Sequence, residues 1–403
     1  MLQARLVVTI FFSFPVFVSL FRFSIFHFRF SIFHFRFSIF HFRFSMQERV
    51  LVYRIGQLGD SLVALPALWA IREHFAKAHL TLLTNRYTSK SYVSVSDLLP
   101  EGALFDQVMF YEAGSTGTGA GSALELLPKL RRARFDTLVY LAPRRRTRRE
   151  VWRDLAFFRL AGVTRFYAHR GFAPFPPRTS GSPLPLVEYE ADHLLSRLAL
   201  SGISIPPPNE RRIDLKLSQA ELDQARAWLA SNAAGLSGRG LLALGPGSNS
   251  PSRIWPQARF EELGRRLLSE FGLFPVVVGG RELSVLGDAL VAAWGCGANA
   301  AAKLSLRESA ALLALCTLYV GNETGTTHLA AAVGARCVAI FSAVEWPGRW
   351  HPYGGRTTVL RRAVPCEGCR LDVCVDHDMA CLKAISVEDA LAACRATLTR
   401  GGT

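Results

Sequence analysis

The chain alternates short apolar runs with longer segments in which apolar residues recur at helical spacing. In the first half, the apolar runs that predict strands are 50–54, 80–84 and 137–142, and the segment of helical spacing is 61–75. In the second half, the predicted strands are 241–244, 275–278, 315–320 and 336–341, and the predicted helices are 218–230, 257–271, 305–314 and 329–333. Such alternation is typical of parallel sheets. We therefore predict an α/β protein with two parallel sheets.

Residues 1–45 differ in character from the rest of the chain. Between 21 and 45 a seven-residue unit, Phe-Arg-Phe-Ser-Ile-Phe-His, repeats a little over three times, as low-complexity sequence does. The apolar stretch before it contains Pro15 and is shorter than the roughly 20 residues of a membrane span. We expect residues 1–45 to be no part of the native protein and Met46 to be its start. The alternative is a membrane-associating tail.

The proline-rich segment around 206–208 indicates a linker between two domains. We expect an N-terminal domain over residues 46–205 and a C-terminal domain over residues 206–403. The second domain ends with a cysteine cluster at 366–381.

Polar residues collect where the predicted strands end. In the first half these residues are Asp60, Arg144, Arg145 and Arg146, and in the second half they are Ser248, Asn249, Arg253, Glu282, Glu323, Thr324, Gly325 and His328. Ligands bind at this edge of an open parallel sheet, and a helix N-terminus placed there suits an anion such as a diphosphate. The structural alternatives are that Asp60 is a helix N-cap and that the arginines form a solvated cluster.

The turn at 321–328 has a composition of its own. Gly321 and Gly325 are expected to allow a tight turn, and Thr324, Thr326 and Thr327 to cap the helix that follows.

The net charge of +15 indicates a phosphate-bearing partner, which could be a nucleic acid, an anionic lipid or a phosphorylated small molecule. No nucleic-acid recognition motif accompanies it, so we expect no nucleic-acid partner. The scattered cysteines outside the 366–381 cluster are typical of a reducing compartment.

Four cysteines, Cys366, Cys369, Cys374 and Cys381, lie within one short segment. Four thiolates suit Zn²⁺ or an iron–sulfur cluster. Their spacing does not match a zinc ribbon, so free thiols or redox-labile disulfides remain the alternative.

Several motifs together resemble glycosyltransferase family 9, the bacterial heptosyltransferases of lipopolysaccharide core synthesis. They are Arg54-Ile55-Gly56 through Gly59-Asp60 with Pro66; Pro246-Gly247 with Arg253, Trp255 and Pro256; Gly279-Gly280 with Glu282; and Gly321-Asn322-Glu323-Thr324-Gly325 with His328. The resemblance spans about residues 47–400. Where the family commonly has Asp and Lys, this chain has Glu323 and Arg253.

The resemblance implies a GT-B fold, in which two Rossmann-like domains face each other across the active site. It implies an inverting, metal-independent transfer of a heptose-like sugar, with ADP-heptose the expected donor and a lipopolysaccharide core or another cell-surface glycan the acceptor. Carried over to this chain, Asp60 is the general base. Ser248, Asn249 and Arg253 hold the diphosphate, Glu282 the ribose, and Glu323, Thr324, Gly325 and His328 the sugar and phosphates.

An acceptor of this kind is an anionic, lipid-linked glycan, and we expect Arg144, Arg145 and Arg146 to grip its negative charges. The enzyme is then expected in the cytoplasm, in peripheral contact with the inner face of the inner membrane, with no cofactor required for transfer. The alternative functions are a nucleotide-sugar epimerase of the same fold and a non-catalytic protein that binds glycan or lipid.

Overall fold

The computed structural model describes residues 47–86, 95–112, 120–179, 182–211, 213–354 and 356–399. The chain divides into two compact units, Met1–Gln47 and Glu48–Thr403, and the fold described below belongs to the second. The expectation for residues 1–45 concerns residues outside the described part of the chain.

The first sheet, as far as the chain is described, has five parallel strands in the order β3-β2-β1-β4-β5. Its elements are β1 (Arg49–Tyr53), α1 (Leu58–His74), β2 (His79–Arg86), β3 (Gln107–Glu112), α2 (Ala120–Ala133), β4 (Thr137–Tyr140), α3 (Arg148–Leu160), β5 (Arg165–Tyr167) and α4 (Glu190–Ala199). Helix α3 begins at a capping box in which Thr147 and Glu150 exchange side-chain and backbone hydrogen bonds.

The second sheet has six parallel strands among the described residues, in the order β11-β10-β9-β6-β7-β8. Its elements are α5 (Gln219–Asn232), β6 (Leu241–Gly245), α6 (Gln257–Phe271), β7 (Phe274–Val277), α7 (Ser284–Trp294), β8 (Ala298–Asn299), α8 (Leu306–Ala314), β9 (Leu318–Asn322), α9 (Gly325–Ala332), β10 (Cys337–Ile340), β11 (Thr357–Leu360), α10 (Ala380–Lys383) and α11 (Val387–Thr399). A capping box formed by Ser218 and Glu221 opens α5.

Both sheets reverse their strand order next to their first strand. In the first sheet β2 lies on one side of β1 and β4 on the other, and in the second sheet β7 and β9 flank β6 in the same way. A crevice opens at the carboxyl ends of the strands at such a switch point. The segments that follow β1, β4, β6 and β9 therefore occupy the two crevices, and these segments contain most of the predicted site residues.

The two halves share one hydrophobic cluster, which runs from Leu65 and Leu68 of α1 to Leu312 of α8 and Leu329 of α9. Helix α1 packs directly against α9. A second cluster lies between the first sheet and helices α2 and α3, and includes Leu130 and Phe158. The packing of α1 on α9 brings the first turn after β1 to the first turn after β9.

Most predicted elements are present, with shifted ends. Helix α1 begins at Leu58, so Pro66 lies in its interior rather than in its first turns. The helix predicted over 329–333 begins at Gly325, and the strand predicted from 315 begins at Leu318 because α8 and its last turn extend to Leu315. Helices α2, α3, α4, α7, α10 and α11 were not predicted. The boundary at 205/206 stays a prediction.

Candidate active site

Asp60 lies in the first turn of α1 and is held by two contacts. Its carboxylate Oδ2 accepts a hydrogen bond of 2.9 Å from the backbone N–H of Gln57, and Arg54 donates to its carbonyl oxygen at 2.7 Å. The Arg54 guanidinium is 4.0 Å from the other carboxylate oxygen, and the Asp60 side chain is 31% exposed. Gln57 is the N-cap residue and Asp60 the third residue of the helix. The N-cap alternative for Asp60 is therefore wrong, because its carboxylate caps from within the helix.

The turn that carries Asp60 touches the second half of the protein. Asn249, after β6, donates to the side-chain carbonyl of Gln57 at 3.1 Å. A Cβ atom on Gly325 would lie 2.8 Å from Leu58, and one on Gly59 would lie 3.3 Å from the His328 ring. Asp60 is thus one residue away from direct contact with the first turn of α9.

Gly321 and Gly325 serve close packing and not turn geometry. Neither has a positive φ angle. A Cβ atom on Gly321 would lie 2.1 Å from the hydroxyl of Tyr319. That hydroxyl bonds Thr327 at 2.9 Å, and Thr327 donates to the carbonyl of Asn322 at 2.5 Å. The tight-turn prediction is therefore wrong, because the chain enters α9 directly and the glycines make room for neighbouring side chains.

Glu323 is buried at the end of β9. Its Oε2 accepts a hydrogen bond of 3.2 Å from Ser342. Its Oε1 lies 3.4 Å from Arg253 Nη1 but has no hydrogen-bond partner of suitable geometry, and Arg253 Nε is likewise buried without one. Burial raises the pKa of Glu323, while the nearby Arg253 acts in the opposite direction. Unpaired polar atoms at a buried site commonly indicate a missing ligand or water.

A small cavity of about 10 Å³ adjoins Glu323. Its polar lining includes Ser342 and Glu345 after β10, Arg361 after β11, and His351. Ser342, Glu345 and Arg361 were missed in the sequence. Glu323 was found because it follows a predicted strand. Arg361 follows β11 in the same way and would have been found if β11 had been predicted.

His328 is buried in the first turns of α9. Burial, together with the nearby Arg253 and His351, lowers the pKa of its imidazole to about 4. The ring is therefore neutral at pH 7 and can both donate and accept a hydrogen bond. Thr324 is the N-cap residue of α9, but its hydroxyl forms no capping bond. The predicted capping by Thr324 is wrong, and the first amides of α9 keep their hydrogen-bond capacity for another acceptor.

The segment after β6 is held by hydrogen bonds to two other segments of the second half. The Ser248 hydroxyl donates to the carbonyl of Glu323 at 3.4 Å, and Ser252 donates to the carbonyl of Leu371 at 2.5 Å. The exposed Glu282 follows β7 at the same sheet edge. A Cβ atom on Gly247 or Gly279 would clash with the side chain of the neighbouring Leu283, so both glycines allow close packing there. These contacts keep the ends of β6, β7 and β9 together.

The three arginines after β4 have different environments. Arg144 is buried, donates to the carbonyls of Ala173 and Glu188 at 3.5 and 3.4 Å, and lies over the Phe175 ring. Arg146 pairs with Glu150 at 3.3 Å and Asp154 at 3.7 Å. Arg145 is exposed. It lies near Arg370 of the second half, whose pKa is lowered by burial and then by Arg145.

The four clustered cysteines line one cavity of about 10 Å³ together with Ser252. All are free thiols, and burial raises the pKa values of Cys366 and Cys381. Within the described residues, no three His, Cys, Asp or Glu side chains have an arrangement that could hold a metal ion. These thiols therefore do not fit the predicted Zn²⁺ or iron–sulfur site, because their sulfurs are not arranged as metal ligands.

Known proteins are similar to this chain in sequence. Residues 195–379 match the family model described as glycosyltransferase family 9 (heptosyltransferase). A Haemophilus influenzae protein classed provisionally as a glycosyltransferase is 24% identical over 319 residues, which are 76% of this chain and 86% of that protein. Lipopolysaccharide heptosyltransferase 2 of Salmonella typhimurium is 28% identical over 155 residues, which are 36% of this chain and 42% of that protein.

A solved structure shows the same fold. The ADP-heptose lipopolysaccharide heptosyltransferase II of E. coli superimposes with a TM-score of 0.61 at 17% identity, covering 88% of this chain and 100% of that one. The fold is the predicted GT-B fold, with two parallel α/β sheets. The resemblance to glycosyltransferase family 9 is confirmed: residues 195–379 match the family model, and a lipopolysaccharide heptosyltransferase is among the related sequences.

Proposed function

We propose that this protein transfers a heptose-like sugar from a nucleoside diphosphate donor, ADP-heptose, to a lipopolysaccharide core, with inversion at the anomeric carbon and without a required metal ion. The observation that carries the proposal is the contact between the Asp60 turn and the first turn of α9, through Gly325 against Leu58 and Gly59 against His328. It puts a partly exposed carboxylate beside a helix N-terminus that can hold a phosphate.

In the proposed reaction Asp60 accepts the proton of the acceptor hydroxyl as that oxygen attacks the sugar. A carboxylate can act as general base when it is within reach of the hydroxyl, and attack from the face opposite the diphosphate inverts the anomeric carbon. Arg253 and the first amides of α9 stabilise the negative charge that develops on the leaving diphosphate. Ser248 and Asn249 complete the diphosphate site, and Glu282 accepts hydrogen bonds from the ribose.

Glu323, Thr324, Gly325 and His328 bind the donor sugar and its phosphates in this proposal. The Oε1 of Glu323 has no hydrogen-bond partner and can accept one from a sugar hydroxyl. The neutral His328 ring can donate to a phosphate oxygen without adding charge. Both side chains are buried, which favours sugar hydroxyls over bulk water as their partners.

We expect Arg253→Ala to weaken donor binding about 10- to 150-fold, the range for lost hydrogen bonds to a charged group at about 1.5–3 kcal/mol. Titration calorimetry with ADP-heptose measures the effect, with UDP- and GDP-sugars as tests of the nucleotide. Because Arg253 also pairs with buried Glu323, Arg253→Ala combined with Glu323→Gln separates lost phosphate binding from a carboxylate left unpaired. Arg226→Ala, on the exposed face of α5, is the control. Unchanged affinity in the Arg253 variants would remove this residue from the donor site.

For the acceptor we propose an anionic, lipid-linked glycan that Arg145 and Arg370 grip between the two halves, with Arg144 and Arg146 holding the segment after β4 in place. On this proposal the enzyme works at the cytoplasmic face of the inner membrane as a peripheral protein. No helix in the described part of the chain is long and apolar enough to cross a membrane.

Arg145→Ala should raise the acceptor's KM several-fold and leave the donor's KM nearly unchanged. Exposed charge pairs are screened over about 8 Å at physiological ionic strength, so added salt should raise the acceptor's KM of the wild-type enzyme in the same selective way. Steady-state kinetics with each substrate varied in turn provide the measurement. Arg132→Ala, on α2, is the control for loss of one exposed arginine. Equal changes for both substrates would contradict the assignment.

A further inference from the structure

A groove of about 880 Å³ opens beside helix α3. We call it the α3 groove. Its walls are helix α3 and the segment that begins in β5, and its lining residues are Arg148, Val151, Trp152, Leu155, Ala156, Arg159, Phe166, His169, Arg170, Gly171 and Phe172. The lining combines aromatic and aliphatic side chains with arginines and contains no acidic residue.

The lining residues of α3 form one face of the helix. They recur at intervals of three and four, from Arg148 to Arg159, which is the spacing of a single helical stripe. Trp152, in the middle of the stripe, is 74% exposed, and Leu160 at the end of the helix is 63% exposed. Together with the aromatic and aliphatic lining they form an exposed apolar patch rimmed by arginines, the kind of surface that marks a protein or membrane interaction site.

The charges of this face are positive and free of acidic neighbours. Among the described residues, neither Arg148 nor Arg170 pairs with a carboxylate. Arg159 is anchored at the rim through the carbonyls of Val163 and Thr164, at 3.4 and 3.1 Å.

The two acids of α3 are engaged outside the groove. Glu150 closes the capping box of Thr147 and pairs with Arg146, and Asp154 accepts from Tyr140 at 2.6 Å. The positive potential of the groove is therefore not neutralised from within.

We propose that the α3 groove docks onto the surface of an anionic lipid bilayer. An indole belongs at the membrane–water interface, because its ring is apolar and its N–H can bond headgroups or water. A helix with an apolar stripe between arginines has the pattern of elements that lie in that interface. In the docked state Trp152 and Leu160 enter the headgroup region, while Arg148 and Arg170 meet lipid phosphates.

This inference goes beyond the proposed sugar transfer and does not depend on it. Docking through α3 would also hold the neighbouring Arg145 near the membrane, since only two residues separate it from the start of the helix.

The test is co-sedimentation of the full chain with vesicles of phosphatidylcholine alone and of phosphatidylcholine with phosphatidylglycerol. We expect binding to the anionic vesicles only. Arg148→Gln with Arg170→Gln should weaken it roughly 25-fold, because each arginine near an anionic surface contributes about fivefold. Trp152→Ser should weaken it about tenfold and leave the melting temperature unchanged, because the side chain is exposed.

Two control variants test whether vesicle binding is due to the α3 groove or to the overall net charge of +15. Lys303→Gln with Arg356→Gln removes the same charge from exposed positions in the second half, and Val285→Ser removes an apolar side chain that is 83% exposed. Both should bind anionic vesicles nearly as wild type does. If the groove variants and the control variants lose vesicle binding equally, the binding is due to general charge attraction and the proposal is overturned.

Two other results would also overturn it. If inorganic phosphate abolishes vesicle binding at constant ionic strength, the groove binds a free anion and not a surface. If the protein self-associates without vesicles, and Trp152→Ser abolishes this, the groove is covered by a second copy of the chain. The assay uses neither donor nor acceptor, so its failure would leave the proposed transfer function untouched.

Discussion

Asp60→Asn should lower turnover by roughly a hundredfold or more while the fold and donor binding persist. The expected loss is that of a general base, which contributes about 10²–10⁴-fold to a proton-transfer step. The amide has nearly the size of the carboxylate, and its carbonyl oxygen can still accept the hydrogen bond that Gln57 donates at 2.9 Å. The substitution therefore removes the basic oxygen and keeps the cap. Turnover numbers at saturating donor and acceptor, together with donor affinity by calorimetry, give the measurement.

The matched control for Asp60→Asn is Glu308→Gln. Glu308 has the same place in a capping box, as the third residue of α8, where it accepts from the backbone N–H of Ser305 at 2.7 Å. It lies on another helix, outside the proposed site. The control should lose a little stability and keep full turnover. If the two variants behave alike, or if Asp60→Asn turns over at the wild-type rate, Asp60 has only its capping role.

Arg197→Met should lower the melting temperature by roughly 10 °C. Arg197 is 0% exposed in α4 and donates to three carbonyls at the end of the first sheet: Tyr140 at 2.7 Å, Ala142 at 2.8 Å and Ala168 at 2.6 Å. Burial lowers the pKa of its guanidinium to about 9, so it is still charged at pH 7.

The expected loss follows from the carbonyls that Arg197 would leave behind. Methionine fills much of the space but leaves these buried carbonyls without donors, at about 1–3 kcal/mol for each unpaired group. For a chain of this size, 1 kcal/mol corresponds to a shift of about 2–4 °C. Thermal unfolding followed by circular dichroism measures it.

The control for Arg197→Met is Arg395→Met. Arg395 forms a two-point pair with Glu270 at 2.6 Å for both contacts, but the pair is exposed to solvent. Water replaces the lost partner at little cost, so the melting temperature should hardly change. Equal shifts in the two variants would show that the carbonyls around Arg197 find other donors. Both variants should fold, since neither introduces a polar atom into the core.

The alternation of apolar runs and helical segments predicted the strands of both sheets that surround the site. It also predicted that Asp60, Arg253, Glu282 and Glu323 would lie at strand ends. This succeeded because the carboxyl ends of parallel strands lie on the same edge, so the position of a residue in its own strand is enough. Strands β3, β5, β8 and β11 were missed. These strands are short or lie at the edges of the sheets. A strand of only a few residues has too short a pattern of apolar and polar positions to be recognised.

The arginines after β4 show where sequence reasoning ends. Three consecutive arginines look alike in the sequence, yet Arg144 is buried against backbone carbonyls, Arg146 is paired with acids of α3, and Arg145 alone is exposed. The acids and carbonyls that distinguish them come from other elements. Gly325 was misread for the same reason, because the group that needs its space is Leu58 of α1.

By itself the sequence determined the parallel α/β class, the residues that collect at the strand ends, and the motifs of glycosyltransferase family 9. Each of these depends on residues close together in the chain. The tertiary structure decided which of those residues are buried, paired or free to meet a ligand, that the cysteines are not arranged as metal ligands, and that the α3 groove has no acidic lining. Burial and pairing are set by neighbours far away in the sequence, and the packing of α1 on α9 is what brings those neighbours together.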